Sequence, residues 1–241
     1  MDSLARKTLG IIGGMGALAG AKFFQTIVEH TEAKKDSDHL DVILTSLSQT
    51  PDRTSYILGN SKENPMIYIK KALDYVIYCG AKIIAIPCNT VAFFKKDIDN
   101  YSVVPVLDII ECTVSVAKSN GIKKAGIIAT SGTIKSEIYQ NALELAGIVP
   151  YTPNDFSQEK IMLGIYEILK AGKTNNSFFY DIVNKMSKEC DSIIMGCTEL
   201  SLIDFSDSPN RKYIIDSSIA LAKNAIEACG GKPKGFDEIY L

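Results

Sequence analysis

Two cysteines, Cys88 and Cys197, stand in matching surroundings. Each follows an apolar run and one turn-forming residue, Pro87 or Gly196, and precedes two polar residues, Asn89-Thr90 or Thr198-Glu199. A thiol is a competent acid and base because its reference pKa of about 8.5 lies near neutrality. At the junction of a strand end and a helix start, unsatisfied backbone N–H groups and the positive end of the helix dipole favour the thiolate. In open parallel sheets such strand ends form the rim where ligands bind. If two similar lobes face each other, each rim carries one thiol. A pair so placed can take a proton from one face of a carbon and return one to the other, with roles exchanged in the reverse direction. The two would titrate as a coupled pair. An arbitrary cysteine is more often a small buried hydrophobe, and Cys79, Cys112, Cys190 and Cys229 are read that way.

The elements that must hold these thiols are visible as short β-rich runs alternating with longer segments of helical period, the pattern of a parallel α/β fold. Strands are expected at Thr8–Ile12, Val42–Ser46, Lys82–Ile86, Val104–Leu107, Lys124–Ala129, Ser192–Met195 and Tyr213–Ile215. Helices are expected at Leu18–His30, Pro65–Tyr78, Ile109–Ser119, Ser136–Leu145, Gln158–Lys170, Phe178–Lys188 and Ser218–Ala228. A weak repeat joins them. Leu9-Gly10-Ile11-Ile12 recurs as Ala125-Gly126-Ile127-Ile128, 116 residues later, and the segment before Cys88 recurs before Cys197, 109 residues later. Two similar three-layer lobes follow, with central parallel sheets related by a pseudo-twofold axis and the site in the cleft between them. Residues 1–110 with 214–241 are expected to form the lobe carrying Cys88, and residues 111–213 the lobe carrying Cys197.

Composition narrows the partners. Lys and Arg number 26 against 28 acidic residues, with no long run of either sign, so neither nucleic acid nor a membrane surface is the expected partner. No apolar stretch approaches the roughly 20 residues that span a bilayer, and the first residues lack a secretory pattern, so the expected location is cytoplasmic with reduced thiols. His30 and His39 are the two histidines, and both lie in or beside charged stretches, so no metal site is expected. Gly13-Gly14-Met15-Gly16 invites a phosphate or dinucleotide reading, but it falls short of the full glycine-rich fingerprint.

Six segments in order carry a family resemblance: Gly10-Ile11-Ile12-Gly13-Gly14-Met15-Gly16, Pro51-Asp52-Arg53-Thr54, Pro87-Cys88-Asn89-Thr90, Ala129-Thr130-Ser131-Gly132-Thr133, Gly164-Ile165-Tyr166-Glu167 with Lys170-Ala171-Gly172, and Gly196-Cys197-Thr198-Glu199. With them the chain resembles the aspartate/glutamate racemase superfamily, most closely its aspartate branch. The resemblance implies that Cys88 and Cys197 are the catalytic pair and that Asn89, Thr90 and Thr198 hold the substrate's α-carboxylate. It also brings Met15, Ser131, Gly132 and Thr133 to the cleft and matches Arg53 and Lys170 to positions that pair with substrate carboxylates. Glu199 stands where the aspartate branch carries an acid, and either tunes Cys197 or stabilises the helix start. A homodimer with a small amino-acid substrate and no cofactor is implied.

The expected activity is therefore racemisation of an acidic amino acid, aspartate foremost, without pyridoxal phosphate, metal or nucleotide. Its nearest rivals are a glutamate or broad-specificity racemase and related isomerase or decarboxylase chemistry on the same scaffold. A non-catalytic binding protein and a reversible disulfide sensor are readings of another class.

Overall fold

Strands whose residues are apolar at almost every position need cover on both faces, as in parallel sheets flanked by helices. A computed structural model describes residues 6–169, 177–206 and 208–236, and within them this is the arrangement. The first half runs β1 (Leu9–Gly13), α1 (Ala17–Glu29), β2 (Val42–Ser46), α2 (Arg53–Ile57), α3 (Met66–Tyr78), β3 (Ile83–Ala85), α4 (Lys95–Tyr101) and α5 (Ile109–Ser119). The second runs β4 (Lys124–Ala129), α6 (Ser131–Lys135), α7 (Ile138–Leu145), β5 (Val149–Tyr151), α8 (Asp155–Leu163), α9 (Ser177–Met186), β6 (Ser192–Gly196), β7 (Ile214–Asp216) and α10 (Ser217–Ala228). One parallel sheet has the order β2-β1-β3 and the other β5-β4-β6-β7. Among the described residues no helix is long and apolar enough to cross a membrane.

Alternate residues of each central strand feed different cores. Leu9 and Ile11 of β1 pack with Phe23 and Ile27 of α1, whereas Ile12 packs with Ile69, Leu73 and Val76 of α3. In β4, Ile127 joins the same core as α1 while Ile128 faces Val183 and Met186 of α9. The first of these cores is common to both sheets and contains residues of α1, α5, α7 and α10, so the lobes share a helical layer. The repeat in the sequence is thus a repeat of topology: β1 and β4 are the equivalent central strands, and β3 and β6 the equivalent partners that lead into Cys88 and Cys197.

Four expectations are corrected. The strand expected at Val104–Leu107 is a single bridge, Ile84 to Val106, because Pro105 has no N–H to extend the ladder. The strand near Ile214, expected with the first lobe, pairs with β6 in the second sheet, while α10 turns back onto α1 and α5. The helix expected at Ser136–Leu145 is α7 and starts two residues later, after Glu137 takes φ 56° in the left-handed region and separates it from α6, which was not expected. The helix expected at Gln158–Lys170 begins at Asp155 and passes into a π-helical turn, Gly164–Leu169. Strand β5 and helices α2 and α4 were not expected.

The lobes meet closely. A Cβ on Gly132 would lie 2.8 Å from Thr54 Cα and 2.9 Å from its Oγ1. Glycine is what allows α6 of the second lobe to seat on α2 of the first. Gly132→Ala is expected to destabilise the fold by about 1–3 kcal/mol, the usual range for overpacking, and to weaken substrate binding by spreading the cleft. Thermal unfolding with and without substrate measures both.

Candidate active site

Both thiols leave their sheets at equivalent points. Cys197 follows β6 directly, and Cys88 follows β3 after Ile86 and Pro87, its N–H donating to the Ile86 carbonyl at 2.8 Å. Each then enters a short 3-10 turn, Asn89–Phe94 or Thr198–Leu202. The Cys88 carbonyl accepts from Val91 N–H at 3.2 Å and the Cys197 carbonyl from Leu200 N–H at 2.9 Å, so the two turns match in detail. The Thr198 hydroxyl donates to the Pro87 carbonyl at 3.2 Å, tying one cysteine turn to the other across the cleft.

Cys88 and Cys197 line one narrow, nearly closed cavity of about 10 Å³, little more than the space of one water, and each is 5% exposed. Met15, Asp52, Arg53 and Thr54 form its walls from the first lobe, with Asn89 and Thr90. Thr130, Tyr166, Thr198 and Glu199 close it from the second.

Arg53 opens α2 behind its N-cap, Asp52, whose carboxylate accepts from Ser55 N–H at 2.7 Å. The buried guanidinium donates to the carbonyls of Pro51 at 3.1 Å, Thr50 at 3.4 Å and Met15 at 3.1 Å. Its Nε is buried without a hydrogen-bond partner among the described residues. Burial alone would lower the Arg53 pKa, but the adjacent Cys88 and Asp52 charges outweigh it and raise it, so the cation persists. A negative charge on the Cys88 sulfur therefore has a buried positive neighbour. On the other side, the Cys197 thiol donates to Glu199 Oε2 at 3.0 Å. Glu199 reaches so far into the first lobe that a Cβ on Gly16 would lie 2.9 Å from its Oε1. The glycine-rich turn thus makes room for protein atoms: a Cβ on Gly14, whose φ is 91°, would lie 2.5 Å from Leu47 N.

The other expected residues divide. Asn89 lines the cavity, but its amide is committed to the scaffold, donating to Ser217 Oγ at 2.9 Å and accepting from the Tyr139 hydroxyl at 2.6 Å. Thr90, Thr130 and Thr133 hydroxyls lie 3.1 Å from one another in a buried triangle that spans the lobes. Three hydroxyls supply three donors to three contacts, so a ligand oxygen can enter only by replacing one of them. Thr133 serves from behind Thr90 and Thr130, and Gly132 serves the lobe contact. Ser131 faces an outer depression, where Gln158 donates to its hydroxyl at 3.2 Å. Lys170 lies outside the described residues. The residues that sequence reasoning passed over are Asp52, Thr54, Thr130 and Tyr166, each within a segment that carried the resemblance. Among the described residues no group of His, Cys, Asp and Glu is arranged to hold a metal ion.

Two parallel α/β lobes with a thiol at the rim of each sheet have the build of a racemase, an isomerase. The family described as Asp/Glu/Hydantoin racemase matches residues 12–225. An aspartate racemase of Picrophilus torridus superposes with a TM-score of 0.86 at 30% identity, covering 95% of this chain and 96% of its own. A broad specificity amino-acid racemase of Bacillus subtilis is 26% identical over 232 residues, 90% of this chain and 96% of that protein. A glutamate racemase of Aquifex aeolicus is 30% identical over 189 residues, 75% of this chain and 72% of that one. The chain belongs to the Asp/Glu/Hydantoin racemase family, and it is an amino-acid racemase.

Proposed function

We propose that this racemase acts on an acidic amino acid, aspartate foremost, by proton transfer between Cys88 and Cys197 with no cofactor. The observation that carries the reading is that both thiols open into one enclosed cavity beside a buried guanidinium with an unpartnered Nε. One substrate carboxylate pairs with Arg53, whose planar fork suits it, and the resemblance assigns Lys170 to the same task. The α-carboxylate lies against the cysteine turns at Asn89, Thr90 and Thr198, with the Thr130 hydroxyl beside them.

In one direction Cys88, as thiolate beside Arg53, removes the α-proton, and Cys197, as thiol, delivers a proton to the opposite face. The carbanion places charge on the α-carboxylate, and a hydroxyl of the Thr90–Thr130–Thr133 triangle that turns from its neighbour to the carboxylate stabilises that charge. The enclosed cavity keeps water out and strengthens each of these contacts. Met15 serves as an apolar wall. In the reverse direction the thiols exchange roles.

Glu199 positions the Cys197 S–H. Glu199→Gln is expected to lower kcat by about tenfold, the low side of an acid–base contribution, with KM changed little; initial rates in both directions measure it. Substrate choice is tested by chiral analysis of product from L-aspartate, L-glutamate and neutral amino acids under reducing conditions. The largest kcat/KM is expected with aspartate. Comparable rates across the panel would instead point to broad specificity, as in the Bacillus subtilis relative.

A further inference from the structure

We infer that Tyr166 is the door of the reaction cavity and Asp52 its latch. Among the described residues Tyr166 is the one shared by the walls of the cysteine cavity and of an open depression of about 580 Å³ on the outer side of α8. Its ring therefore stands between the thiols and solvent. The phenol donates across the cleft to Asp52 Oδ2 at 2.8 Å. The acceptor does not wander, because Asp52 Oδ1 is held by Ser55 N–H at 2.7 Å at the start of α2. Burial pushes the Tyr166 hydroxyl well above its usual pKa, so it remains a donor throughout the working range of the enzyme.

The backbone beneath the ring is pinned. A Cβ on Gly164, two residues earlier in the π-helical turn, would lie 2.7 Å from Phe179 Cζ, so the turn is seated directly on α9. Opening is then a rotation of the Tyr166 side chain that breaks its bond to Asp52 and its contact with the Thr54 hydroxyl. With the ring closed, Cys88 and Cys197 are each 5% exposed, which is too little to admit a substrate. The depression under Ser131, Gln158 and Met162 is the antechamber from which substrate enters when the ring swings out. Tyr166 is a positioning and access residue, and no proton of the reaction passes through it.

The test reads access to the thiols, so it stands apart from turnover and from the identity of the substrate. The ligand-free protein is treated with iodoacetamide and, separately, with a bulky maleimide, and alkylation is followed at each cysteine by peptide mass spectrometry. Exposed Cys79 calibrates the reagent. Buried Cys112 and Cys229, their thiols pushed up by burial to about 12 and about 11, report general loosening of the fold.

Tyr166→Phe is expected to speed alkylation of Cys88 and Cys197 about tenfold, as loss of a hydrogen bond to a carboxylate implies, and more for the bulky reagent. Cys79, Cys112 and Cys229 should react as before. Asp52→Asn, which keeps the N-cap, should move the cleft cysteines the same way by less. Unchanged rates at Cys88 and Cys197 in Tyr166→Phe would overturn the door, and so would an increase shared by Cys112 and Cys229.

Discussion

Alanine in place of either Cys88 or Cys197 is expected to lower kcat in both directions by about a thousandfold or more, since one positioned acid or base contributes roughly 10²–10⁴ and inversion uses both in every turnover. Serine should do no better, because its hydroxyl is too weak an acid and base to replace a thiol at neutral pH. The loss is chemical and not structural. Each cysteine is buried at a rim and donates to or neighbours only local groups, so its truncation costs on the order of 1 kcal/mol against a stability of about 5–15 kcal/mol. Circular dichroism should show both variants folded at assay temperature. Rates in the L-to-D and D-to-L directions must fall together, and a single variant that keeps substantial turnover both ways would refute the two-thiol scheme.

Arg53 carries the second large effect. Its guanidinium donates to three backbone carbonyls, those of Thr50, Pro51 and Met15, and lies beside Cys88 and Asp52. Lysine keeps the charge but cannot span that set of acceptors and still offer two parallel donors to a carboxylate. Arg53→Lys is therefore expected to lower kcat/KM for aspartate by about a hundredfold or more, in line with the 2–5 kcal/mol that follows loss of one partner of a buried charged pair. KM should rise and kcat fall, since the same group binds substrate and balances charge at Cys88. Arg53→Met should cost more in both and should also lower the unfolding temperature, because it leaves three carbonyls without their donor and removes the cation beside the Asp52 charge. Steady-state kinetics alongside thermal unfolding separates the two contributions.

Most of the sheet was legible because apolar runs flanked by turn residues mark parallel strands whatever their neighbours. The repeat before Cys88 and Cys197 was more telling, since it predicted two equivalent rims, and β3 and β6 supply them. What escaped depends on single backbone events. Strand β5 is three residues with a proline at its centre, Val149–Tyr151, and carries almost no periodic signal. The break before α7 rests on one left-handed residue, Glu137, of a type that seldom adopts that conformation.

At the site the segments and most of the cavity residues were legible, but in the turn of Ser131, Gly132 and Thr133 it is the neighbouring Thr130 that lines the cavity. Thr130, and not Ser131, faces the thiols because its side chain accepts from Thr133 N–H as the N-cap of α6, which turns Thr130 inward and Ser131 outward. Asp52 and Thr54 flank Arg53 in the same turn, and only the path of α2 decides that all three reach the cavity. Asn89 was legible as a cavity residue, whereas its commitment to Ser217 and Tyr139 depends on contacts 128 and 50 residues away.

The most direct test follows the α-proton. L-aspartate is incubated with the enzyme in deuterium oxide under reducing conditions, and both enantiomers are separated at low conversion and examined by proton NMR. Two thiols on opposite faces predict D-aspartate carrying deuterium at Cα from the first turnovers, while the remaining L-aspartate still carries protium. D-aspartate that retains the original protium would mean one group returning the same proton, and would contradict the division of labour between Cys88 and Cys197.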